Sequence, residues 1–150
     1  ERTGWSKEPD RIFVQCFEEP ETRRIREELG CRLPLIQLLS GKKWDLLVRG
    51  GVGDLEAALR TIKQYADGIG PPLSQLLLQR DGDGFLRVSP MVEVAHQVGL
   101  KVHPWTIRAD DLPKETDTLD TLHRVLFSQL GVDGVFSDFP DTAVAARAGK

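Results

Sequence analysis

Two short stretches carry the side chains best suited to chemistry, His103-Pro-Trp-Thr106 and Ser137-Asp-Phe-Pro140. An imidazole changes charge near neutral pH, so His103 can act as a base, as a phosphate partner, or simply pack inside a fold. An indole beside it offers a small substrate an apolar wall and one N–H donor. Asp138 follows a short apolar run and precedes an alanine-rich segment. It therefore reads either as a carboxylate at the mouth of a site or as the residue that starts the last helix. Gln15 and Phe17, which close the run Ile12-Phe-Val-Gln-Cys-Phe17, and Gln37 in Leu35-Ile-Gln-Leu-Leu39 have the same placement, late in a strand-like run.

Other motifs fail on inspection. Gly51-Val-Gly53 before a helix has two glycines of a dinucleotide fingerprint, but Glu56 stands where the third belongs, and a carboxylate would repel a pyrophosphate. Asp81-Gly-Asp83-Gly84 opens like a calcium loop. Its twelfth position is Val92, where a bidentate Glu is required, so a hairpin-like turn remains. Cys16 and Cys31, with three widely separated histidines, give no zinc spacing, and both thiols read as ordinary free cysteines. His96 and His123 fall on helical stretches and read as surface or packing residues. Neither a Ser/His/Asp order with an elbow motif nor a convergent carboxylate pair can be placed.

The elements that must position these residues alternate. After the first run, Pro20 opens a helix with Ile25 and Leu29 inward and Gly30 as its stop. Leu35–Leu39 follows as a strand. Asp54 then caps a helix whose stripe is Leu55, Ala58, Leu59, Ile62, Tyr65 and Ala66. Ala66-Asp-Gly-Ile-Gly-Pro-Pro72 is a very short strand. Ser89-Pro90 opens a helix with Val92, Ala95 and Val98 inward, stopped at Gly99. Leu100–Ile107 is the next strand. Alternation there turns Val102 and Pro104 toward the helices, and Lys101, His103 and Trp105 toward the other face, Trp105 nearest the mouth. A helix with Leu119, Leu122, Leu126 and Leu130 on one face precedes Gly131-Val-Asp-Gly-Val-Phe-Ser137. Segments 40–53 and 73–88 read as long loops.

Five strands, mostly separated by helices, predict a parallel sheet with right-handed crossovers, in an α/β barrel or an open doubly wound sheet. The 150 residues suit one domain, and 40% hydrophobic with 29% charged residues is a globular composition. A net charge of −3 gives no electrostatic footprint for nucleic acid or an anionic membrane. No apolar stretch approaches the roughly 20 residues of a transmembrane helix, and the polar, acid-containing start is unlike a signal peptide. Position 1 is Glu rather than Met, which suggests a chain cut from something longer.

At Gly131-Val-Asp-Gly-Val-Phe-Ser-Asp-Phe-Pro-Asp141 and His103-Pro-Trp-Thr-Ile-Arg108 the sequence resembles the glycerophosphodiester phosphodiesterase family, in particular its bacterial periplasmic-type branch. That family's last strand carries Thr where Ser137 stands. Tyr65–Pro71, Val14–Phe17 and Leu35–Leu39 match in the right order, so the resemblance covers essentially the whole chain. It implies a (β/α)8 TIM barrel that hydrolyses glycerophosphodiesters to glycerol 3-phosphate and an alcohol, with a divalent metal, Ca²⁺ or Mg²⁺. The family's catalytic histidines sit in His-Arg-Gly and His-Asp motifs, and its metal-binding carboxylates in Glu-x-Asp and Glu-Ile-Lys. The resemblance places all of these upstream of this chain.

Residues 1–150 would then be the C-terminal portion of the barrel domain, approximately strands 4–8 with their helices. The catalytic and metal residues would be supplied by the N-terminal part. Gln15, Phe17, His103 and Trp105 would line the substrate pocket opposite the metal. Asp138 would be a structural rim residue that accepts backbone N–H groups from the turn and first helical turn. An open set of strands leaves unpaired edges, so the bare chain is expected to be marginally stable or aggregation-prone, and inactive. The branch implies a periplasmic or otherwise extracytoplasmic setting. The alternative is a non-catalytic, barrel-derived module that binds a small ligand or another chain.

Overall fold

The computed structural model describes residues 12–83 and 85–148. The polar opening stretch and Gly84 of the Asp81 turn lie outside them. Strands β1 (Val14–Cys16), β2 (Leu35–Leu38), β3 (Gly68–Gly70) and β6 (Lys101–Val102) form a parallel sheet in the order β1-β2-β3-β6. Between them run α1 (Glu19–Glu27), α2 (Lys42–Arg49), α3 (Val52–Lys63) and α4 (Met91–Gln97). This is the α/β alternation with a parallel sheet that the sequence predicts.

The fifth expected strand is present as a hydrogen-bonded run without regular strand geometry. Residues 132–138 lie beside β6 and its extension: Asp133 N–H donates to Val102 O, Phe136 N–H to Pro104 O, Ile107 N–H to Phe136 O, and Asp138 N–H to Ile107 O. Ile107 and Ser137 form a parallel bridge, and Trp105 bridges Pro72.

Register divides the residues of the sheet between two faces. Cys16, Gln37, Ile69 and Val102 share one row, and Gln15, Ile36, Gly68 and Lys101 share the neighbouring row on the opposite face. The first face meets the helices. Ile69 and Val102 join Leu35, Leu55, Leu59, Ile62, Val92, Ala95 and Leu122 in one buried core. On the second face β3 carries only glycines. A Cβ on Gly68 would meet Ile36 Cδ1 and Lys101 O at 2.7 Å, and one on Gly70 would meet Leu38 Cδ2 at 2.5 Å. Their absence lets Ile36 and Leu38 lean across the strand and bury themselves.

Several local expectations need correction. Segment 40–53 is not a loop: α2 lies within it and turns Trp44, Leu47 and Val48 toward the core at helical spacing. Asp54 does not cap α3; the helix begins two residues earlier, and Gly51 is its N-cap. Leu29 is exposed, because α1 ends at Glu27 before the stripe reaches it. Segment 73–88 holds a 3₁₀ turn (Leu73–Gln75) and an antiparallel hairpin of β4 (Leu77–Arg80) and β5 (Leu86–Val88). Asp81 closes that hairpin, its Oδ1 accepting from the N–H groups of Asp83 and Phe85. The leucine-striped helix starts as α5 (Leu119–His123), with Thr118 as cap, and continues as a π-helical stretch, Arg124–Leu130. Gly131 ends it in the left-handed region, and α6 (Pro140–Ala148) closes the described chain.

His123 is buried against Phe127, and its Nε2 has no hydrogen-bond partner among the described residues. Burial holds its imidazole below the usual range, with Asp120 opposing the shift. The unfolded chain therefore takes up the proton first, near pH 6.5. The stability contributed by neutral His123 is complete above that pH and is lost as pH falls through the lower native value. The thermal midpoint of the chain should drop between pH 7.5 and 5.5, and His123→Leu should flatten that drop. A pH profile identical in the variant would contradict this assignment.

Candidate functional site

The second sheet face gathers the residues singled out by type. Phe13, Gln15 and Phe17 project from β1 and its flanks, and Lys101, His103 and Trp105 from β6 and its extension. Phe17 and Trp105 meet edge to face, with ring centroids 5.5 Å apart, at the C-terminal ends of their strands. His103 packs edge to face on Phe13 at 4.6 Å and stands 6.4 Å from the Phe136 ring. Phe17 is half exposed, so the pair presents an open aromatic surface.

Trp105 departs from expectation in one respect. Its indole N–H is not free for a ligand oxygen: it donates to Gly70 O at 2.8 Å. The bond ties the indole to the end of β3, beside the Phe17 ring. The one polar atom of the side chain is thus committed within the fold.

His103 is 7% exposed. Its burial depends on Gly134, where a Cβ would approach the imidazole to 3.1 Å. Burial holds its pKa below the usual range; Asp133 pulls upward, and Lys101 and Arg147 add to the depression. The imidazole is thus neutral at pH 7, with one nitrogen a donor and the other an acceptor. It lines a cleft of about 610 Å³, shared with Phe13, Lys101, Phe136, Ser137 and Arg147. Gln15, Phe17 and Trp105 do not line that cleft. The four sequence-derived site residues share one face but fall into two groups.

Asp138 is not a helix cap. The turn is held by Ser137, whose Oγ accepts from Phe139 N–H at 3.0 Å. The Asp138 carboxylate instead faces Arg108 Nε at 3.1 Å, so the two strand ends at the rim are joined by an exposed ion pair. The serine hydroxyl takes the N–H two residues on, and the aspartate is left to the nearby guanidinium.

Sequence reasoning missed the contact between His96 and Asp133, which are 37 residues apart. His96 Nε2 lies 2.9 Å from Asp133 Oδ2, which also accepts from Val102 N–H at 2.9 Å. Burial pushes the Asp133 carboxyl up, but the Val102 N–H and the His96 contact outweigh it and leave its pKa below the usual range. This carboxylate fastens the start of the 132–138 run to β6 and α4. Phe13 was also missed, although alternation from Gln15 and Phe17 places it on their face.

Among the described residues no group of three or more His, Cys, Asp or Glu side chains could hold a metal ion. A Glu-x-Asp string does occur at Glu115-Thr-Asp117, but Asp117 is 86% exposed and lies 3.7 Å from Arg80 Nη2. A second copy, Glu8-Pro-Asp10, lies outside the described residues. The described side chains therefore do not fit the divalent metal that the resemblance implies. No helix among them is long and apolar enough to cross a membrane.

Comparison with known proteins agrees with the motif reading. The model of the glycerophosphoryl diester phosphodiesterase family matches residues 1–142. A glycerophosphodiester phosphodiesterase of Haemophilus influenzae is 30% identical over 94% of this chain and 43% of its own length. One of Treponema pallidum is 30% identical over 94% of the chain and 44% of its own. One of Bacillus subtilis is 29% identical over 92% and 37%. The chain spans less than half the length of these curated relatives. With the family model covering nearly all of it and the His103 and Asp138 motifs at strand ends of a parallel α/β sheet, this chain belongs to the glycerophosphoryl diester phosphodiesterase family.

Proposed function

We propose that this chain is the C-terminal part of a (β/α)8 barrel that hydrolyses glycerophosphodiesters to glycerol 3-phosphate and an alcohol. The observation that carries the reading is the family match over residues 1–142, together with an aromatic surface open at the C-terminal ends of parallel strands. In such barrels ligands are bound at that end of the sheet.

In this reading Phe17 and Trp105 form the apolar wall against the glycerol or alcohol part of the diester, and Gln15 offers an amide beside it. His103, neutral and buried, holds the layer beneath. These residues position the diester, and holding reactants in attack geometry removes much of the entropic barrier. Proton transfer and the divalent metal, Ca²⁺ or Mg²⁺, fall to residues outside this chain. The extracytoplasmic setting rests on the branch-specific motifs alone.

The complete protein carrying this chain should release choline from glycerophosphocholine, or ethanolamine from glycerophosphoethanolamine, when supplied with Ca²⁺ or Mg²⁺. Chelation should abolish the release. A folded complete protein that leaves both diesters intact would overturn the proposal.

A further inference from the structure

Three connections leave the C-terminal ends of β2, β3 and β6: α2 follows β2, the β4–β5 hairpin follows β3, and the segment ahead of α5 follows β6. Side chains tie them together. Gln75 Nε2 donates to Asp45 Oδ1 at 3.0 Å and links the turn before the hairpin to α2. Arg80 Nη2 donates to Glu115 O at 2.9 Å and links the hairpin to the third connection. Where α2 meets the hairpin there is a cleft of about 420 Å³, whose lining includes Arg49, Arg80, Arg87, Asp81 and Gly82.

Three guanidiniums in one cleft run against the net charge of −3 on the chain. Like charges so grouped repel unless opposite charge compensates them. The described carboxylates compensate little. Asp81 is the only one in the lining, and its Oδ1 already accepts from the N–H groups of Asp83 and Phe85. Its Oδ2 stays 3.8 Å from Arg87 Nε, and Asp117, 86% exposed, stays 3.7 Å from Arg80 Nη2. Exposed pairs of this kind are worth little. Arg49 makes no hydrogen bond or ion pair with a described residue. With five N–H donors on each guanidinium, Arg49 and Arg87 keep donors for a ligand, and Arg80 is held beside them.

We propose that this cleft is a binding site for a phosphate monoester, with Arg49 and Arg87 as its main ligands and Arg80 as a fixed third charge. A monoester carries a charge of roughly −1.5 to −2 near neutral pH and three strong acceptor oxygens. A carboxylate has one charge and two oxygens, fewer than three guanidiniums can serve. Guanidinium forks also match phosphate oxygens in pairs. The cleft volume falls in the range of small-ligand pockets, roughly 300–1,000 Å³, so the organic part of an ester fits beside its phosphate. A soluble ester and the headgroup of phosphatidic acid present the same chemistry. None of Gln15, Phe17, His103 and Trp105 lines this cleft, so the site goes beyond the diesterase reading and does not depend on it.

Glycerol 3-phosphate titrated into the complete protein, with a chelator present and ionic strength held constant, tests the site through arginine side-chain N–H resonances. The Arg49, Arg80 and Arg87 signals should shift together and saturate. Arg49→Gln should weaken that response about tenfold, as expected for the loss of one charge-assisted hydrogen bond. Arg49 is exposed near the end of α2, so the variant should unfold at the temperature of its parent. Equal shifts with chloride would overturn the proposal, because the signals would then report only screening. A response untouched by both Arg49→Gln and Arg87→Gln would overturn it too. Sedimentation with phosphatidylcholine vesicles, with and without phosphatidic acid, separates the two sources. Retention on phosphatidic acid that Arg49→Gln abolishes assigns the site to a lipid headgroup. No retention, with the glycerol 3-phosphate response intact, assigns it to a soluble ester. The same response in a complete protein without diesterase activity would keep the site and reject the activity.

Discussion

Gly68→Ala is expected to destabilise the chain by about 3 kcal/mol, the upper part of the usual range for overpacking a filled site. Two contacts decide the size. The new methyl group would lie 2.7 Å from Ile36 Cδ1 and 2.7 Å from Lys101 O. The isoleucine tip can move, but Lys101 O belongs to the backbone of the adjacent strand. That carbonyl cannot retreat without disturbing the pairing of β3 with β6, whose register sets Gly68 opposite Lys101. Urea unfolding of variant and parent measures the difference. Gly53→Ala, in the first turn of α3 where an added Cβ meets nothing within 4 Å, serves as control and should be neutral or mildly stabilising. Equal midpoints for Gly68→Ala and its parent would mean that the two strands are not so closely apposed.

Trp105→Ala in the complete enzyme is the second large effect. Removing the indole deletes the apolar wall and leaves Phe17 without its edge-to-face partner. Full burial of a large apolar side chain is worth roughly 1.5–3 kcal/mol. If the diester gains a comparable amount from this wall, kcat/KM should fall about 10- to 100-fold. Trp105→Phe separates the ring from its N–H. The N–H is committed to Gly70 O rather than to a ligand, so the phenylalanine variant should keep most of its activity while losing some stability. If phenylalanine costs as much activity as alanine, the N–H must serve the substrate instead. An alanine variant with unchanged kcat/KM would remove Trp105 from the site.

The legible and illegible parts of this fold divide along physical lines. α3 could be read because Leu55, Leu59 and Ile62 repeat at the helical period over twelve residues and all reach the core. α2 could not, because Gly41, Gly50 and Gly51 bracket it and suggest a loop, while its packing stripe is a single turn of Trp44, Leu47 and Val48. The inward direction of Lys101, His103 and Trp105 followed from strand alternation, which depends only on the period of two. The partners of those side chains did not follow. Trp105 reaches a carbonyl 35 residues away and Asp133 a histidine 37 residues away, and nothing local in the sequence specifies either contact. At the rim, Ser137 and Asp138 are both able to accept a backbone N–H, and only the geometry assigns the turn bond to the serine and the ion pair to the aspartate. β3 was legible as a very short strand, but the use of its glycines as seats for Ile36 and Leu38 belongs to the assembled sheet.

The central claim is that this chain positions a glycerophosphodiester while the bond-breaking groups lie elsewhere in the same protein. Release of glycerol 3-phosphate from glycerophosphocholine, measured side by side for the bare 150-residue chain and the complete protein, tests it most directly. The account predicts metal-dependent turnover by the complete protein and none by the bare chain. Hydrolysis by the bare chain at a comparable rate would contradict it, because the catalytic groups would then have to lie within these residues.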